Sequence, residues 1–234
     1  MAKKSVSTTY LTRFETVAGG VLFLLYLFIL PFITNGLFRA VEHLMGAAIS
    51  GDLQNRIYYY VLFVASLIIF YQFVGKTTGF FLNSFGNTLS VVGLGLVIFY
   101  GLNELFFRLF HVIFDTQTNL NDVTISAQMD DAPRSTVLII VLLAPFVEEL
   151  LFRGYVFGCL RGRNRWLAYV VSCFLYTFLY TWDFVLGGFT LTQLSLALQH
   201  AIPAAVLAWA YDKTGNLWSP ILLHVAVNAL ALWT

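Results

Sequence analysis

Charge is scarce in this chain: only 11% of its 234 residues are Asp, Glu, Lys or Arg, against about 25% in an ordinary soluble domain. The net charge of +1 leaves nothing that points to the basic surface a nucleic acid requires, so no nucleic-acid partner is expected. Cysteine is nearly missing. Cys159 and Cys173 are the two present, and neither sits in a CxxC pair or beside a His ligand, so both read as small apolar residues. There is no low-complexity tract and no internal repeat, which leaves one domain spanning 1–234.

What the chain has instead is apolar residues, 59% of the total. Crossing about 30 Å of hydrocarbon takes about 20 helical residues, and suitable runs recur at 16–38, 57–74, 88–114, 136–160, 166–183, 191–212 and 216–233. Lipid offers backbone groups no hydrogen-bond partner, and the alternating pattern of an outer-membrane barrel is absent. The expected fold is therefore all-α, a polytopic integral membrane helical bundle with seven transmembrane helices, and the first expected partner is the lipid bilayer. The run at 16–38 follows Lys3, Lys4 and Arg13 but is too long for a signal-peptide core and precedes no A-x-A-like site, so it reads as a retained helix. With the N-terminus inside, the inner segments hold Lys3, Lys4, Arg13, Lys76, Arg161, Arg163, Arg165 and Lys213, whereas the outer loops hold Arg39, Arg56 and Arg134. That asymmetry predicts N-in, C-out.

The polar interval at 115–135 divides helices poor in reactive groups from helices that carry them. Residues 1–115 read as scaffold and 136–233 as the working core. In the first half, Glu104 and Arg108 stand four apart, the spacing of a helical ion pair, with His111 beyond. In the second, the stretch "APFVEELLFRG" puts Glu148, Glu149 and Arg153 inside an apolar run, where each ionised group costs about 2.5–3.5 kcal/mol on insertion scales. Glu149 and Arg153 are four apart and neutralise each other along one face. Glu148 points about 100° away, so another helix must supply its partner or it must be protonated. The expected source is "GNLWSPILLHVAVNAL", where His224 and Asn228 share a face.

Depth agrees. His224 lies about 14 Å of helix from the inner end, and Glu148 and Glu149 about 18–20 Å. A water held between a carboxylate and an imidazole there is a competent nucleophile, and Asn228 or a charged donor steadies an oxyanion. On residue types alone, two Glu and a His are also a possible metal-ligand set.

These residues resemble a known family. "EELLFR" at 148–153 matches the EExxxR motif, and "HVAVN" at 224–228 the HxxxN motif, of the CAAX-processing and bacteriocin-processing (CPBP, or Abi) intramembrane proteases. The resemblance covers 136–233. It implies a bacterial cell-membrane protein, a peptide or membrane-protein substrate, and a glutamate endopeptidase that uses no metal or other cofactor. In that scheme Glu148 is the general base on water, Glu149 and Arg153 organise the site, and His224 and Asn228 position water and stabilise the oxyanion. One motif departs: where the family has FxxxH, "SCFLYTFLYTW" offers Tyr176 and Tyr180, so the histidine position falls on Tyr180. A phenol donates a hydrogen bond but is a poor base at neutral pH. His200, in "LALQHAIPAAVLAWAY", reaches a similar depth and is a candidate replacement, on a helix whose Ala201/Ala205 and Ala204/Ala208 pairs allow close approach. The alternative to a peptidase is a degenerate relative that binds or regulates another membrane protein, as in bacteriocin immunity. A transporter accounts for buried carboxylates but not for two protease motifs, and no inverted repeat is visible.

Overall fold

In a computed structural model of the protein, residues 11–114, 137–187 and 191–231 are described. Lys3, Lys4, Arg134 and the polar interval at 115–135 lie outside them. Eight helices follow in order: α1 (Arg13–Met45), α2 (Gly51–Ile69), α3 (Tyr71–Asn83), α4 (Phe85–Phe114), α5 (137–161), α6 (Arg165–Gly187), α7 (Leu191–Thr214) and α8 (Trp218–Ala231). The described residues contain no strand. The all-α expectation holds.

Local chemistry sets the helix ends. Thr12 and Glu15 form a reciprocal capping box at the start of α1, the Ser50 hydroxyl accepts from Leu53 N to start α2, and Asn216 Oδ1 accepts from Ser219 N to start α8. Each satisfies an amide that has no partner within its helix. Gly46 (φ 66°) and Gly215 (φ 68°) occupy the left-handed conformation that closes α1 and α7, where a side chain would be strained. Two π-turns, Leu25–Ile29 and Ile139–Leu143, lie at or just before Pro31 and Pro145. Proline removes one donor from the i→i−4 ladder, and the widened turn absorbs the defect.

Among the described residues, two helices are by length and composition apolar enough to cross a membrane, Arg13–Met45 and Phe85–Leu109, or three if the bent pair Gly51–Ile69 and Tyr71–Asn83 is one span. The expected seven spans are not reached by this measure. α5 carries Glu148, Glu149 and Arg153 within its apolar run, and α8 has only 14 residues. The run at 57–74 also differs from expectation, because the chain turns by 81° at Phe70. Glu15 explains the turn: its Oε1 accepts from Phe73 N at 2.7 Å while Oε2 accepts from Thr12 N at 2.7 Å, so a buried carboxylate on α1 caps the redirected helix α3.

α5 runs through the middle, packed against α1, α2, α6, α7 and α8. Its Val147, Leu150, Leu151 and Phe152 form a core with Leu22, Phe23, Tyr26 and Leu27 of α1, Leu62 of α2 and Phe73 of α3. Much of the periphery is apolar and exposed, Val17, Phe32, Leu44 and Val112 among them, as lipid contact requires. On α7, Ala204 and Ala208 are buried but Ala205 is exposed, so one of the two small-residue faces carries helix packing. Glycine does the same on α1, where a Cβ on Gly19 would lie 2.3 Å from Phe70 Cζ.

Gly19→Ala is therefore expected to destabilise the protein by about 1–3 kcal/mol through overpacking, whereas Gly36→Ala, with nothing within 4 Å of the new methyl group, is neutral or slightly stabilising. Thermal unfolding of both variants in detergent checks this; equal midpoints would refute the close-approach account.

Candidate active site

The site is assembled on α5 where the α-helical segment Ala144–Glu149 passes into the π-segment Leu150–Phe157. Glu148 and Glu149 end the first and Arg153 lies in the second. Glu149 and Arg153 are fully buried, and Glu148 is only 3% exposed, so none of the three faces lipid.

Arg153 Nη1 donates to Glu149 Oε1 at 2.9 Å, as the spacing of four predicts. Its Nη2 donates to the Ala204 carbonyl of α7 at 3.0 Å, and the guanidinium carbon stands 4.3 Å from the centre of the Tyr176 ring of α6, a cation–π contact in a desolvated setting. Glu149 Oε1 also meets His224 Nδ1 of α8 at 2.9 Å. A carboxylate paired with arginine only accepts, so Nδ1 carries the hydrogen and Nε2 is left as the free acceptor. Here the structure corrects one expectation: the imidazole is bonded to Glu149, not to Glu148.

Glu148 is held by Tyr180. The phenol hydroxyl of α6 donates to Oε1 at 2.7 Å and Oε2 at 2.8 Å, one hydrogen shared across both carboxylate oxygens. His224 and Arg153 are close enough to act on Glu148 electrostatically. His200 of α7 lies flat on the outer side of this arrangement, its ring stacked on Tyr180 with centroids 4.8 Å apart and planes 9° from parallel. Asn228 Nδ2 donates to the Ile140 carbonyl of α5 at 2.9 Å.

The structure thus brings together Glu148, Glu149, Arg153, His224 and Tyr180, with His200 behind Tyr180, and uses Asn228 to tie α8 to α5. Two contributors were not legible as such: the Ala204 carbonyl, which leaves no mark in a sequence, and the Tyr176 face, whose only signal was its spacing of four from Tyr180. Among the described residues no group of three or more His, Cys, Asp or Glu is arranged to hold a metal ion. Glu104 and Arg108 form an exposed pair at 2.6 Å on α4, and the side chain of His111 lies outside the described residues. Cys159 and Cys173 are free thiols.

Residues 131–230 match the family described as Rce1-like, type II CAAX prenyl endopeptidase. This segment, a little under half of the chain, is similar to that family. The match contains both the Glu148–Arg153 and the His224–Asn228 motifs, so the protein is a membrane helical protein carrying a CAAX-protease-like segment. Over 141 residues the chain is 28% identical to UPF0177 protein YxdF of Lactococcus lactis subsp. lactis (strain IL1403), covering 56% of this chain and 73% of that protein. No solved structure matches the chain.

The buried ion pair yields a stability test. Arg153→Leu strands Glu149 in an apolar interior and is expected to cost about 3–5 kcal/mol, whereas removing both charges together costs less than the single change. A double-mutant cycle of Glu149→Leu and Arg153→Leu by thermal unfolding measures the coupling, and additive losses would contradict the pairing.

Proposed function

We propose that the protein is an intramembrane endopeptidase that hydrolyses a peptide bond near the inner leaflet, with Glu148 as general base. The observation that carries this reading is a carboxylate almost wholly out of water, gripped by a neutral donor rather than by a cation. The direct ion pair of Arg153 is made with Glu149 instead. Two polar atoms of its neighbours in the motif, Glu149 Oε2 and Arg153 Nε, are buried and make no hydrogen bond among the described residues, and a catalytic role is one explanation of such unpartnered groups.

In the proposed reaction Glu148 takes a proton from water as the oxygen attacks the scissile carbonyl carbon. The tetrahedral oxyanion is met by the Tyr180 hydroxyl or by Arg153, and Glu148 returns the proton to the leaving nitrogen as the C–N bond breaks. His224, fixed through Nδ1, offers Nε2 to the same water. The bundle works as one membrane unit, with α1–α4 as scaffold and α5–α8 as core, in a bacterial cell membrane. The N-terminus lies inside, as the gathering of Arg161, Arg165 and Lys213 at one end supports.

A second reading has its own observation. Tyr180 covers both Glu148 oxygens, which suits a relative that has lost turnover and keeps the pocket for binding a membrane protein, as in bacteriocin immunity.

Reconstitution in lipid with a peptide library separates the two. For a peptidase, Glu148→Gln abolishes cleavage and Tyr180→Phe lowers turnover about 100-fold or more, the scale of one lost oxyanion donor. His200→Ala has a smaller effect, and His200→Phe keeps the wild-type turnover, because the stack needs only a flat ring. Cleavage that survives Glu148→Gln would defeat the assignment; a wild-type protein inert toward every peptide yet retaining a partner through the same pocket would establish the second reading.

A further inference from the structure

Three basic residues cluster in and beside the turn between α5 and α6, and the structure gives them an arrangement that a topology signal alone does not need. Asp212, near the end of α7 and 5% exposed, gathers two of them. Arg161 Nε lies 2.7 Å from its Oδ1 and Arg161 Nη2 donates to its backbone carbonyl at 2.9 Å. Arg165 Nε donates to Oδ2 at 2.6 Å, with Nη2 on the same oxygen. The Tyr169 hydroxyl donates to that oxygen at 3.1 Å. One buried carboxylate thus fixes the orientation of two arginines, yet it neutralises only one of them. Arg163 in the turn and Lys213 beside Asp212 are exposed, so an excess of positive charge faces outward at this end of the bundle.

The second observation is aromatic. Arg165 keeps 61% of its side chain exposed and borders a cavity of about 280 Å³ whose other walls are Trp166, Tyr169 and Trp209. Trp166 is 79% exposed. An indole so placed is poorly served by bulk water but suits the interfacial layer, where tryptophan and tyrosine sit at headgroup depth. Fixed guanidinium groups beside aromatic faces meet a phosphodiester and its glycerol together; a free phosphate would use only the cations.

We propose that this basic and aromatic corner, formed by Arg163, Arg165, Trp166, Tyr169, Trp209 and Lys213, binds the headgroup of an anionic phospholipid in the leaflet that meets this end. Asp212 is the positioning residue. The site lies apart from Glu148 and does not depend on the peptidase reading. Since Arg161 and Arg165 both reach α7, an occupied site also clamps the inner ends of α5, α6 and α7, which bear the carboxylates, Tyr180 and His200.

The test uses the full-length protein in nanodiscs of phosphatidylcholine containing phosphatidylglycerol, with the lipid retained after detergent extraction counted by native mass spectrometry. Wild type is expected to retain phosphatidylglycerol in preference to phosphatidylcholine. Arg163→Gln with Lys213→Gln, neither of which touches Asp212, should lower that preference about fivefold per residue removed, and Trp166→Ala should lower it further. Arg165→Gln should do the same, but its loss also disturbs Asp212, so the first two variants decide the matter should it fail to fold. Equal retention of the two lipids by wild type, or variants that match wild type, would overturn the proposal. So would loss of the preference in excess inorganic phosphate, which would make this a free-anion site.

Discussion

A carboxylate buried among apolar helices must have its counter-charge within reach, because neither lipid nor a packed core supplies one. Glu149 meets that demand with Arg153, one turn along α5 and wholly buried, and much else follows. Arg153 has donors beyond the one Glu149 uses, and they are taken by the Ala204 carbonyl and the Tyr176 face, so α7 and α6 are drawn to α5. Glu149 accepts a second donor in His224, which draws in α8. A single ion pair therefore recruits three neighbouring helices, and because the arginine is spent on Glu149, Glu148 is left to a neutral phenol.

Apolar side chains drive little association between helices in lipid, where tails are as apolar as leucine; close backbone contact and polar cross-links do more. Both occur around α5. Gly19 and Gly154 admit the rings of Phe70 and Phe73, while Ser172 donates to the Phe152 carbonyl at 3.0 Å and Asn228 to that of Ile140. The π-segment Leu150–Phe157 leaves backbone oxygens less tightly committed along the helix, and Phe152 is one whose carbonyl is used from outside. Asn228 fastens α8 to the helix bearing the carboxylates.

The all-helical class was legible because long apolar runs without alternation admit little else, and the Glu149–Arg153 pair because a spacing of four fixes a shared face even across the change from α to π geometry. Tyr180 was brought to the site only by its place in the motif where the resembling family has FxxxH, and depth was not used to pair it with Glu148. What could not be read was rotation. Depth arguments place a side chain along a helix but not around it relative to its neighbours, so His224 was assigned to the wrong one of two adjacent glutamates. The turn at Phe70 was hidden for a similar reason, since its cause, Glu15, is 58 residues away in sequence from the amide it caps. A count by length and composition among the described residues does not reach seven spans, and α5, which carries Glu148, Glu149 and Arg153, is one of the helices it leaves out.

The exchange of an imidazole for Tyr180 alters the chemistry available more than the shape. An imidazole can donate, accept or carry a positive charge near neutral pH, whereas a phenol there donates one hydrogen and holds no charge. In the proposed reaction every proton transfer falls to Glu148 or to the free nitrogen of His224, and the phenol serves only as a donor. Its hydrogen is shared between the two oxygens of Glu148, and an oxyanion forming nearby would compete for it with full charge once Glu148 has taken up a proton and become the weaker acceptor. The same hydrogen bond can therefore hold the base before attack and stabilise the intermediate after it, provided the ring stays where it is. The flat contact with His200 resists rotation of that ring, which gives the second histidine a use without placing it on the reacting atoms.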